Sequence, residues 1–173
     1  GTDSNDTIQG TDSIENIDGK GGNDTIYGNG GDDCLIGNIG NDYLYGGEGN
    51  DYLRGEAGQD KIYGENGNDT LTGGWDDDYL VGGSGDDTYL MSHGTDTISN
   101  YDTTPGRYDV LMLDSSISPE EVTLSRVGDN LYVRITGTED EVEVLNFFND
   151  EGNGGYALDA IKFNDGSIWD IDY

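Results

Sequence analysis

One acidic side chain recurs every nine residues through the first hundred residues of this sequence. Asp6, Asp24, Asp33, Asp42, Asp51, Asp60, Asp69, Asp78, Asp87 and Asp96 hold the slot, and Glu15 fills the one remaining place. Glycines crowd the four positions ahead of most of them, where peptide carbonyls can converge. Carboxylates with backbone carbonyls make an all-oxygen ligand set, which suits a hard cation such as Ca²⁺ with its six to eight oxygens at about 2.3–2.6 Å. Mg²⁺ dehydrates reluctantly and suits such a cage poorly.

Composition agrees with a cation partner. Of 173 residues, 37 are acidic and 7 basic, a net charge of −30 that repels nucleic acid and anionic membrane surfaces. With 30 glycines and 32% hydrophobic residues, a conventional core is not expected, and without a counterion the chain should be loose. The single cysteine, Cys34, excludes an internal disulfide. No run of 18 apolar residues exists and no leader pattern opens the chain, so no membrane insertion is expected. Because the sequence starts inside a repeat, we read it as a piece of a larger protein.

The elements that position the carboxylates follow from the same frame. Residues 1 to 99 divide without a gap into eleven units, among them "GKGGNDTIY", "GGEGNDYLR" and "GENGNDTLT". Position eight is apolar in all eleven, which at 32% hydrophobic content has a chance on the order of one in a few hundred thousand. Positions one to six are expected to turn, with glycines at one, two and four supplying φ > 0. Positions seven to nine are expected to extend, with position eight inward. A unit with one inward aliphatic cannot bury it alone and must stack on its neighbours.

This pattern, G-G-x-G-x-D-x-U-x, resembles the haemolysin-type calcium-binding repeats of secreted bacterial RTX proteins. The resemblance implies an all-β fold, a right-handed parallel β-roll with 18 residues per coil, strands alternating between two sheets and turns stacked on two edges. One edge then carries Asp6, Asp24, Asp42, Asp60, Asp78 and Asp96, the other Glu15, Asp33, Asp51, Asp69 and Asp87, for at most nine Ca²⁺ in the gaps. By the same analogy each ion takes both aspartates, carbonyls one and three of one turn, and carbonyls two and four of the facing turn. Carried onto this sequence, position one is Gly28, Gly37, Gly46, Gly55, Gly64, Gly73 and Gly82, and position two is Gly47 and Gly83. Position three is Gly30, Ile39, Glu48, Ala57 and Asn66, and position four is Gly49, Gly58, Gly67 and Gly85. The first two units depart from the pattern at Asp3, Ser4, Asp12, Ser13 and Glu15. Asp76 replaces a position-four glycine, and aspartate tolerates the left-handed region. "MSHGTDTIS" is expected to close the roll.

After Asn100 the period ends and seven glycines remain, against 23 before, so residues 100 to 173 are expected to form a second, mainly antiparallel β-rich capping region. "EVTLSRV" and "NLYVRIT" read as a hairpin about Gly128 and Asp129. "EVEVLNFF", "YALDAIKF" and "SIWDIDY" read as further strands, and Ser118 and Pro119 start one helical turn. This half resembles the C-terminal flank of RTX toxins through "VGDNLYVRI", "VEVLNFF" and "DAIKFNDGSIWD", which implies a folding nucleus over the open end of the roll.

Other candidates have plain readings: His93 as a loop residue, Cys34 as an inert outward thiol, Trp75 as an exposed aromatic. No catalysis is expected. The resemblance implies a secreted bacterial toxin, adhesin or exoenzyme exported through type I machinery, with this part a monomer that folds on Ca²⁺. The alternative is a glycan-binding module of an adhesin or polysaccharide-modifying enzyme.

Overall fold

The computed structural model describes residues 1–149 and 156–171. The "DY" that ends the last expected strand lies outside them. Ten strands follow the repeats: β1 (Thr7–Gln9), β2 (Asn16–Gly21), β3 (Thr25–Gly30), β4 (Cys34–Ile39), β5 (Tyr43–Glu48), β6 (Tyr52–Ala57), β7 (Lys61–Asn66), β8 (Thr70–Trp75), β9 (Tyr79–Ser84) and β10 (Thr88–Leu90), then β11 (Thr95–Ile98). The rest contributes β12 (Val110–Met112), a 3₁₀ turn at Pro119–Glu121, β13 (Val122–Val127), β14 (Asn130–Ile135), β15 (Glu141–Val144), β16 (Ala160–Lys162) and β17 (Ile168–Asp170).

Odd and even repeat strands separate into two sheets. One runs β1-β3-β5-β7-β9-β11-β15-β14-β13, the other β17-β16-β12-β10-β8-β6-β4-β2. Pairing is parallel at a register of 18, as in Ile26↔Leu44, Leu44↔Ile62 and Leu35↔Leu53. That is the β-roll expected from a nine-residue period. Position eight lies inward and fully buried from Ile26 to Ile98, with Tyr89 taking the place of an aliphatic, while Ile8 and Ile17 are only partly covered.

The strands are longer than the period suggested. Pairing runs from position seven through position three of the next unit, as in Thr25–Gly30, because positions two and three still bond to the neighbouring coil. The second half continues both sheets. β12 and β16 add in parallel beyond β10, and β15 adds in parallel beyond β11. Antiparallel β14, β13 and β17 then finish the edges, the β13–β14 hairpin among them. Leu111, Leu131, Val133, Val142, Val144, Leu158 and Ile161 share one core cluster with the repeat aliphatics.

Candidate metal centre

Glycine does two different jobs in the turns. Positions two and four need the left-handed region: φ is 112° at Gly47 and 132° at Gly49, and Asp76 adopts 76° as expected. Position one does not, which corrects the expectation of φ > 0 there, since Gly28, Gly37, Gly46, Gly55, Gly64, Gly73 and Gly82 are absent from the left-handed set. Its glycine is steric. At Gly28, Gly37, Gly46, Gly55 and Gly64 a Cβ would lie under 3.0 Å from two oxygens, the Oδ2 of the aspartate five residues on and the position-one carbonyl 18 residues ahead. For Gly46 these belong to Asp51 and Gly64.

The aspartates form two ladders. Each backbone N–H donates to Oδ1 of the aspartate in the next coil: Asp24 to Asp42, Asp42 to Asp60 and Asp60 to Asp78 on one edge, Asp33 to Asp51, Asp51 to Asp69 and Asp69 to Asp87 on the other, all at 2.7–2.9 Å. The second oxygen is left over. Oδ2 of Asp24, Asp33, Asp42, Asp51, Asp60, Asp69, Asp78 and Asp87 is buried and accepts no hydrogen bond. A buried carboxylate oxygen without a donor or counter-charge costs several kcal/mol. Burial, more than the repulsion between neighbours, pushes these carboxyls up: Asp51 to about 6, Asp60 and Asp69 to about 7, Asp78 to about 8 and Asp87 to about 7, with Asp33 and Asp42 also raised.

Position-three carbonyls have a partner already. Those of Ile39, Glu48, Ala57 and Asn66 accept the position-four N–H of the coil before, from Gly22, Gly31, Gly40 and Gly49, each at 2.9 Å. Among the described residues no three His, Cys, Asp or Glu side chains converge on a point. A cation in the gaps therefore has to draw on peptide oxygens, and the donor set of carboxylate and carbonyl fits Ca²⁺.

The ladders end differently from what the period suggests. At the start, Thr2 donates through N–H and hydroxyl to Asp6 Oδ2, and Thr11 donates in the same way to the two Glu15 oxygens. On the first edge Ser92 Oγ donates to Asp96 Oδ2 at 2.7 Å. On the second edge the ladder runs on. Asp87 N–H donates to Asp109 Oδ1 at 2.9 Å, and Asp109 N–H to Asp159 Oδ2 at 2.8 Å. Spacings of 22 and 50 hid both residues from a nine-residue frame. The usable signal was local: "YDVLM" and "LDAIK" repeat the order of an aspartate, one residue and a buried aliphatic, here Leu111 and Ile161.

His93 and Trp75 stack at 4.3 Å, with His93 Nδ1 3.4 Å from Asp140 Oδ1, while Cys34 is half-buried in β4. None of the three adjoins an orphaned Oδ2. No helix among the described residues is long and apolar enough to cross a membrane.

Comparison with known proteins gives the same reading. The RTX calcium-binding nonapeptide repeat matches in four copies, residues 1–33, 10–44, 36–71 and 58–89, and the haemolysin-type calcium binding protein related domain matches residues 130–173. The chain is similar to the iron-regulated protein FrpA of Neisseria meningitidis serogroup C, 39% identical over 75 residues, which is 43% of this chain and 7% of that protein. The alignment thus spans a small part of the relative's length. With an 18-residue parallel roll, two aspartate ladders and these matches, the chain belongs to the family of RTX calcium-binding nonapeptide repeat proteins.

Proposed function

We propose that this Ca²⁺-binding module folds on calcium, holding seven ions between consecutive repeat turns. The gaps are Asp24–Asp42, Asp42–Asp60, Asp60–Asp78 and Asp78–Asp96 on one edge, and Asp33–Asp51, Asp51–Asp69 and Asp69–Asp87 on the other. The observation that carries this is the set of buried Oδ2 atoms with no donor, seven of which face another repeat turn. In each gap that Oδ2 meets the facing turn's aspartate and the carbonyls of positions one to four, from Gly28 and Gly30 through Gly83 and Gly85. Asp6 and Glu15 are served by threonine and are left out. Seven ions supply +14 against the −18 of residues 1 to 99, where 21 acidic and 3 basic residues stand.

Metal-free, the buried carboxylates and the net charge oppose the fold. We infer that the chain stays loose in a calcium-poor cytoplasm and folds in calcium-rich surroundings, as part of a secreted bacterial protein exported by type I machinery. Far-UV dichroism during titration tests the folding step. Calcium, and not magnesium, should convert a coil spectrum to a β-rich one; a β-rich spectrum in chelator that calcium leaves unchanged would refute it.

A glycan-binding reading draws support from Trp75, 60% exposed, which lines a groove with Tyr52, Arg54 and Met112. A glycan array probed with and without calcium tests it, and no retained glycan in either condition counts against it.

A further inference from the structure

Within the repeats every turn is served by the turn 18 residues ahead in four ways. Its position-six N–H donates to an aspartate Oδ1, and its position-five side chain accepts a position-five N–H, as Asn50 Oδ1 does from Asn68. Its position-four N–H donates to a position-three carbonyl, as Gly67 does to Ser84, and its position-one glycine faces a carbonyl. Gly82–Asp87 is the last repeat turn on its edge, and the residues 18 ahead, "NYDTTP", contain no such turn.

All four services are nevertheless supplied. Asp109 Oδ1 takes the Asp87 N–H at 2.9 Å, and Tyr108 N–H donates to Asp86 Oδ1 at 2.7 Å. Asp102 Oδ2 takes the Gly85 N–H at 3.3 Å, in place of a carbonyl. The Tyr89 hydroxyl stands 2.7 Å from where a Gly82 Cβ would be, accepting the Gly82 N–H and donating to Asn100 Oδ1. That explains the one tyrosine in a column of aliphatics: its oxygen replaces a position-one carbonyl. Asp87 Oδ2, fully buried, accepts nothing, like the seven between repeat turns.

We propose that the calcium stack extends one gap beyond the repeats, to a Ca²⁺ site between Asp87 and Asp109 that the second half of the chain completes. This rests on the reading of the repeat gaps as calcium sites. The oxygens are Asp87 Oδ2, Asp109 Oδ1, the Asp102 carboxylate and the carbonyls of the Gly82–Asp87 turn, again an oxygen-only set for a hard cation.

The next gap shows why the stack stops there. Arg107 Nη1 sits 2.6 Å from Asp109 Oδ2 and 3.0 Å from Asp159 Oδ2, while Nε and Nη2 donate to the carbonyls of Asp102 and Ala157 at 3.2 and 3.0 Å. Two carboxylates and two peptide carbonyls are the ligand set of a repeat gap, gathered here by a guanidinium that carries its charge permanently. Arg107 therefore orients Asp109 before any metal arrives. The other edge has no equivalent, because Ser92 occupies Asp96 Oδ2 and Val142 stands opposite Asp96.

Crystals of the full chain grown with calcium should give an anomalous difference peak between Asp87 and Asp109 as well as in the repeat gaps. Peaks in the repeats with none at Asp87 overturn this site and leave the repeat reading intact; no peaks anywhere overturn the repeat reading itself. In solution, equilibrium dialysis at saturating calcium should show Asp109→Asn holding one ion fewer than the unsubstituted chain, with an unchanged β-rich spectrum. An equal count in a folded variant overturns the proposal. Should that variant not fold, the peak in the unsubstituted chain still decides.

Discussion

Gly46→Ala separates the cradle from every other role of a glycine. Gly46 has no positive φ, so alanine brings no backbone strain and would ordinarily stabilise by about 0.4–1 kcal/mol through the unfolded chain. Here its Cβ would lie 2.7 Å from the Gly64 carbonyl oxygen and closer still to Asp51 Oδ2. Overpacking of that kind costs about 1–3 kcal/mol, and the methyl occupies the space where the oxygens of the Asp51–Asp69 gap meet. If seven ions are taken up together, 3 kcal/mol spread over them, at about 1.4 kcal/mol per tenfold, raises the calcium midpoint about twofold. The count of bound ions should fall by at least one. The assay is a calcium titration followed by far-UV dichroism, with equilibrium dialysis for the count and Gln59→Ala, an exposed position-five change, as the control. An unchanged midpoint and ion count in Gly46→Ala would falsify the claim that position one is glycine for the sake of the cation.

Three further outcomes follow from the same geometry. The raised carboxyls, Asp60 and Asp69 to about 7 and Asp78 to about 8, mean that the metal-free fold binds more protons than the unfolded chain. Their contribution is fullest below about pH 4 and is lost as pH rises through 6 to 8, so in chelator the chain should be compact near pH 5 and expand above pH 7, read by hydrodynamic radius; equal radii at both would refute it. Asp69→Ala should raise the calcium midpoint more than Asp6→Ala, because Asp6 Oδ2 already has Thr2 donors while Asp69 Oδ2 has none; equal shifts, or a larger one at Asp6, count against this. Removing residues 100 to 173 deletes Asp109, Arg107 and the strands that continue both sheets, so residues 1 to 99 should stay unfolded at about millimolar calcium, where extracellular modules usually bind. Dichroism that shows the fragment folding at the same midpoint and steepness would make the second half dispensable.

Much of this was legible because the roll is a repeating object. A period of nine with one aliphatic and one aspartate fixes inward side, sheet alternation and the 18-residue ladder, and no other arrangement buries position eight. Three things escaped. Position-one glycines look like turn glycines in a sequence, since a close approach across 18 residues leaves no local mark. The closures at Thr2, Thr11 and Ser92 depend on a hydroxyl reaching a carboxylate four residues away, a commonplace spacing in a chain so rich in both. Asp109 and Asp159 lie at irregular intervals because the intervening chain leaves the stack and returns, and only the sheet shows that β12 and β16 are its next rungs.

The 18-residue register also fixes how the molecule answers a pulling force. A load applied at the N-terminus reaches the stack one coil at a time, since each strand is bonded only to its neighbours in its own sheet. Peeling one coil frees 18 residues, about 60 Å of extended chain. The ladder bonds of that coil, such as Asp24 N–H to Asp42 Oδ1, break together with one position-eight contact in each sheet. Extension then proceeds as a staircase of equal treads, ending at the Arg107 knot, where two carboxylates share one guanidinium and the tread length changes.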